Sequence, residues 1–135
     1  MMLAMTHPTS SLQVFGIQNC DSVKKARAWL SDQGLVYDCI DFKKQGLTEA
    51  RLQVWIAQLG WQALVNTRGT TWRTLSDAER AGVTDAASAS ALMRAQTSVI
   101  RRPVVQWLGG EMSVGFDSAA WQARLSTRGA QNGLT

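Results

Sequence analysis

The strongest constraint on the fold is a short apolar run, LQVFGI at residues 12–17, that breaks into the polar turn QNCDS and resumes as an amphipathic helix. A run of this length bounded by turn residues reads as a buried strand. The helix follows from Val23, Ala26, Trp29 and Leu30, which recur at three- and four-residue spacing, with Lys24, Lys25 and Arg27 on the other face and Gly34 as a stop. Residues 36–42 (VYDCIDF) alternate as a second strand, the turn at Gln45 and Gly46 leads to Thr48 as an N-cap, and a helix over residues 49–59 carries Leu52, Trp55, Ile56 and Leu59 before Gly60. A strand, helix and strand in this order imply a parallel pair joined by a right-handed crossover.

Periodicity fails between residues 61 and 75, where short helical turns or a functional loop are expected. Ser76 and Thr84 are read as caps of two short helices near residues 77–81 and 85–95. The chain then returns to strand character: PVVQWL at residues 103–108, the turn Gly109-Gly110, and residues 111–114 make the clearest hairpin signal. A last helix begins at Asp117 or Ser118, and STRGAQNGLT at the end has turn and tail composition. The reading is α/β: a mixed four-stranded sheet, formed by a parallel pair and a C-terminal antiparallel hairpin, with a helical insertion between them. At 135 residues and 45% apolar content the chain suits one domain. It is expected over residues 11–127, with an N-terminal extension at 1–10 and a tail at 128–135.

Cys20 stands where a buried strand ends and a helix begins. Its sulfur is therefore expected to meet unsatisfied backbone N–H groups and the positive end of the helix dipole, a setting that lowers a thiol's pKa. Lys24 and Lys25 are expected to add to this and Asp21 to oppose it. Cys39 lies inside the second strand and reads as a small core or strand residue. Val23 occupies the third position after Cys20, so there is no C-x-x-C pair, and a single nucleophile needs an external thiol to resolve its mixed disulfide.

Other chemistries fit less well. The lone histidine, His7, has no ligand cluster around it, so neither a metal site nor a Cys-His dyad is expected. The six tryptophans fall at scattered apolar positions, which argues against a stacking surface for nucleic acid. The formal charge of +4 favours anionic ligands in general. No segment approaches the length of a membrane span, and two cysteines fit a reducing, cytoplasmic setting.

Three ordered segments carry a resemblance: FGIQNCDSVKKARAWL (residues 15–30), LVNTRGTTWRTL (64–75) and SVIRRPVV (98–105). Together they resemble the signature segments of the ArsC and Spx family, specifically its YffB-like branch, over about residues 12–126. The resemblance implies a thioredoxin-like fold with a helical insertion and a glutathione-dependent thiol oxidoreductase. In that picture Cys20 is the attacking thiolate, and Asn19, Asp21 and Ser22 form the turn that presents it. Arg102 binds an anionic group, Pro103 is cis and faces the cysteine, and Arg68 is a further anion-binding residue with Arg73 as the competing choice. Glutathione or glutaredoxin completes the cycle, and the chain is expected to act as a monomer on a small anionic or thiol/disulfide substrate. Arsenate reductases of the family carry one more arginine in the stretch matching residues 113–116, where this sequence has SVGF. True arsenate reduction is therefore one alternative. An Spx-like module that docks on RNA polymerase is the other, disfavoured by the missing C-x-x-C.

Overall fold

In a computed structural model, which describes residues 12–18 and 20–133, the chain forms a central sheet with helices on both faces. Strand β1 (Gln13–Gly16) leads through the turn into helix α1 (Asp21–Asp32), and β2 (Asp38–Asp41) returns parallel to β1. Helices α2 (Phe42–Gln45), α3 (Glu49–Leu59), α4 (Trp61–Leu64), α5 (Thr70–Thr74), α6 (Asp77–Ala81) and α7 (Ala86–Ala95) form the insertion. A 3-10 turn over Thr97–Val99 precedes β3 (Val104–Gln106) and β4 (Met112–Val114), and α8 (Ser118–Gly133) closes the described chain. The sheet order is β2-β1-β3-β4, with β1 antiparallel to β3 and β3 to β4. The expected mixed four-stranded sheet is thus present, with β1 and β3 central.

Alternation along the two central strands divides the apolar residues between two cores. Val14 and Val105 face α1 and α8, packing with Leu12, Ala26, Leu30, Trp107 and Trp121. Phe15 and Val104 face the insertion, packing with Phe42, Leu52, Trp55, Leu64, Met93 and Ile100. Trp121 anchors the first core by edge-on contacts with Trp29, Trp107 and Phe116, at centroid separations of 5.6, 4.9 and 4.8 Å. The Trp107 indole donates to Ser113 Oγ at 2.9 Å, which satisfies its N–H inside this core.

Several local expectations change. The second strand is shorter than residues 36–42, because the Asp41 side chain accepts from the backbone N–H groups of Lys43 and Lys44 and starts α2 instead. Ser76 caps α6 in a reciprocal capping box as expected, but α7 is capped by Asp85 rather than Thr84, with Ser88 returning the bond. The turn-like STRGAQNGLT does not end the last helix, which continues to Gly133; residues 134–135 and the extension at 1–10 lie outside the described residues. Among the described residues no helix is long and apolar enough to cross a membrane.

Candidate active site around Cys20

The close of β1 onto α1 depends on one glycine. A Cβ placed on Gly16 would lie 2.5 Å from Val23 Cγ2, so only a glycine lets the first turn of α1 pack against the strand end. That turn has Cys20 at the N-cap, in extended geometry, with its carbonyl accepting from the Lys24 N–H at 3.0 Å. The Cys20 side chain is half-buried. Burial pushes the thiol up, but the hydrogen bond from Arg102, the Val23 amide, the Arg102 charge and the Ser22 amide together outweigh it and hold the thiol below the ordinary cysteine value.

The backbone amides act as the position at a helix start requires. The charge that favours the thiolate most directly is that of Arg102, which also donates the side-chain hydrogen bond to the sulfur.

Arg102 is positioned by the segment that runs from the insertion into β3. Val65 bridges Ile100, the Arg101 N–H donates to the Leu64 carbonyl at 2.7 Å, and the Asn66 N–H donates to the Val99 carbonyl at 2.8 Å. On this support the Arg102 Nη1 donates to the carbonyls of Ser98 and Ile100 at 2.8 and 3.0 Å, and Nε points at Cys20 Sγ, 3.4 Å away. The Arg102-Pro103 bond is cis, as the resemblance implied, and Pro103 is buried. Arg101 turns away to donate to the Ala63 carbonyl at 3.2 Å, a bond that ties the insertion to β3.

The remaining candidates are less gathered. Asp21 and Ser22 occupy the exposed start of α1, where Ser22 contributes its amide to the sulfur. Asn19 lies outside the described residues. Arg68 follows the Val65 bridge, and its N–H donates to Asn66 Oδ1 at 3.2 Å. Its side chain is exposed, and among the described residues it makes no hydrogen bond to Cys20. Arg73, the competing choice, is exposed on α5 with its carbonyl engaged by Arg80. Cys39 sits in a strand as read, but it is exposed rather than core, because β2 is the sheet's edge.

Beside the sulfur opens a cavity of about 380 Å³ whose wall includes Cys20, Lys24, Arg27, Cys39, Asp41 and Lys44. Arg27 reads from the sequence only as part of the polar face of α1, and Lys44 carries no reading there. Lys24 and Arg27 carry a sequence signal, since positions four and seven beyond Cys20 share one helix face, whereas Lys44 is brought to the wall by β2 and the start of α2. At the floor the Asp41 carboxylate accepts from the Gln18 N–H at 3.0 Å in addition to capping α2, and the Lys44 ammonium donates to Gln18 Oε1.

The three segments that carried the resemblance therefore meet in one place, at the Cys20 turn, the Val65 bridge and the Arg102-Pro103 bend. The ArsC family profile matches residues 15–124. The chain belongs to the ArsC family. An uncharacterized protein of Haemophilus influenzae is 35% identical over 115 residues, spanning 85% of this chain and 99% of that one. The solved structure of a YffB protein is 43% identical, with a TM-score of 0.78 over 84% of this chain and 97% of that one. An arsenate reductase-related protein from Brucella melitensis is also 43% identical, with a TM-score of 0.68 over 84% and 92% of the two chains. As an ArsC family member the chain has the thioredoxin-like fold that the resemblance implied, with the insertion lying between β2 and β3.

Proposed function

We propose that this protein is a thiol oxidoreductase of the arsenate reductase-like type that works through a single nucleophilic cysteine and uses glutathione as co-substrate. The observation that carries the reading is the placement of Cys20 Sγ at the N-cap of α1, 3.4 Å from Arg102 Nε. The Cys20 thiolate attacks a sulfur of a disulfide substrate that carries glutathione. The old S–S bond breaks, the departing sulfur leaves as a thiolate with the electron pair, and Cys20 becomes a mixed disulfide with glutathione. A second thiolate, from glutathione or glutaredoxin, attacks the glutathione sulfur of that bond and returns Cys20 to its anion, so one external thiol is oxidised into a disulfide with glutathione while the substrate sulfur is reduced to its thiol. The setting that keeps such thiols reduced is the cytoplasm, and the working unit is the monomer.

Arg102 keeps the sulfur anionic at rest and stabilises it again as a leaving group. The charge-concentrated alternative, arsenate reduction, has less support. Residues 113–116 supply no cation, and Val114 is paired with Val104 and packed on the core, where the arsenate-reducing members carry another arginine. A doubly charged oxyanion would lose one charged hydrogen bond there, about 1.5–3 kcal/mol. In the test, Cys20→Ser abolishes glutathione-linked turnover while Cys39→Ser retains most of it. Equal loss in both variants, absence of turnover in the wild type, or recovery of RNA polymerase subunits irrespective of Cys20 would overturn the reading.

A further inference from the structure

The cavity beside Cys20 is larger than a tetrahedral oxyanion needs, and its charge is unevenly distributed. At about 380 Å³ it falls in the range of small-molecule pockets. Asp41 is the carboxylate in its wall, and three backbone amides together with the nearby Lys44 ammonium already satisfy it. Lys44 is itself engaged by Gln18. Lys24 and Arg27 stand differently. The Lys24 ammonium has no partner among the described residues, and Arg27 is held through Nε by the Tyr37 hydroxyl at 3.3 Å, which leaves both terminal nitrogens without a described partner. A guanidinium fixed at one edge with its fork open is arranged to take a carboxylate through two parallel bonds.

Spacing sets the size of the ligand. Lys24 and Arg27 lie four and seven residues along α1 from Cys20, which at the helical rise places them about 6 and 10 Å down the axis from the sulfur's own position. An extended peptide spans at most about 3.5 Å per residue, so a chain of two or three residues bridges that interval.

We propose that this cavity is a recognition subsite for the anionic arm of a peptide-sized thiol or disulfide, with Lys24 and Arg27 receiving its carboxylates while its sulfur lies against Cys20. The subsite rests on the thiol-exchange reading above. It adds that selectivity comes from the α1–β2 side of the cysteine, opposite in role to Arg102, which acts on the sulfur itself. Tyr37 is a positioning residue for Arg27.

The test compares two reagents on the full-length protein in a single exchange step: glutathione disulfide, which carries carboxylates, and dithiodipyridine, which carries none. In both, the Cys20 thiolate attacks one sulfur and expels the other as a thiolate, so only recognition differs. Lys24→Gln and Arg27→Gln are expected each to slow the glutathione disulfide reaction about threefold, and the double variant about tenfold, with less effect at high salt. The dithiodipyridine rate stays at the wild-type value. Lys25→Gln removes the same charge from α1 outside the cavity wall and leaves both rates unchanged.

An undiminished glutathione disulfide rate in the double variant would overturn the subsite, as would an equal loss with both reagents or a Lys25→Gln effect as large as that of Arg27→Gln. A wild-type Cys20 inert to dithiodipyridine overturns the thiol-exchange reading and the subsite with it, a result distinct from loss of selectivity alone.

Discussion

Removing Arg102 should change the reactivity of Cys20 in opposite directions at neutral and at high pH. The Nε–H···S contact at 3.4 Å is a charge-assisted hydrogen bond to a half-buried sulfur. Such bonds are worth about 1.5–3 kcal/mol when fully buried, and screening at a partly exposed group favours the lower end. At about 1.4 kcal/mol per decade, Arg102→Met lowers the thiolate fraction near neutral pH about tenfold. The more basic thiolate is also the better nucleophile, with a Brønsted coefficient of about 0.4–0.5, which returns roughly threefold of that loss. The net expectation with dithiodipyridine is a rate about threefold below wild type near neutral pH and about threefold above it once both proteins are fully ionised, so the two pH profiles cross. Because Nη1 also serves the Ser98 and Ile100 carbonyls, Arg102→Met costs stability too, and urea denaturation should confirm that the variant is folded during the assay. Arg102→Lys, which retains the charge without the fork, should fall between the two. Profiles that superimpose over the whole range in a folded variant would refute the claim that Arg102 governs the sulfur's ionisation.

Two further outcomes follow from the same geometry. Because the folded thiol is held below its ordinary value, ionisation of Cys20 adds stability that is complete above the unfolded thiol's pKa, near 8.5, and is lost as pH falls through the folded value. The urea midpoint of wild type relative to Cys20→Ser should therefore rise with pH across that window, and iodoacetamide should modify Cys20 well below pH 8.5; a flat difference and an ordinary alkylation profile would contradict this. Gly16→Ala should destabilise the fold by about 1–3 kcal/mol through the clash with Val23, and Val23→Ala in the same chain should recover part of the loss in a denaturation assay; an unaffected Gly16→Ala would show that the strand end is not close-packed.

Most elements were legible because local sequence and burial agree along them. The α1 stripe, the Thr48 and Ser76 caps and the hairpin around Gly109-Gly110 all rest on neighbours within four residues, and each occurs where periodicity or turn chemistry placed it. The differences arise where a distant partner decides. Residues 36–42 alternate like one strand, but Asp41 bonds the Gln18 N–H as well as the amides behind it, which ends β2 and starts α2. Cys39 reads as a small core or strand residue and does lie in a strand, but nothing local marks that strand as the sheet's edge; the order β2-β1-β3-β4 leaves it exposed although its partner Val14 is fully buried. In the site, Cys20 was legible from strand and helix boundaries alone. The use of Arg102 was not, since its contact to the sulfur spans 82 positions and came from resemblance rather than from pattern.

The division of charge around Cys20 bears on what distinguishes one ArsC-type site from another. A cation in contact with the sulfur lowers the cost of the anion for every substrate alike, because it acts on a group common to all the reactions. Arg102 is such a cation, locked by two carbonyls and therefore unable to follow a ligand outward. Selection among substrates must come from groups that meet the part of the molecule that varies, and those groups need donors not already committed within the fold. Arg101 lies outside the cavity wall and ties the insertion to β3 through Ala63, Lys44 donates to Gln18 and Arg80 bonds its own helix start, whereas Lys24 and Arg27 face the cavity with donors to spare. With no arginine over residues 113–116 to gather a compact oxyanion, the uncommitted positive charge in the described cavity wall lies along α1, where an extended anion can reach it while its sulfur stays at the helix start. On the proposed reading, the two roles are separable by mutation: changes at Arg102 move the pH profile for all disulfides, and changes at Lys24 or Arg27 move the ratio of rates between charged and neutral ones.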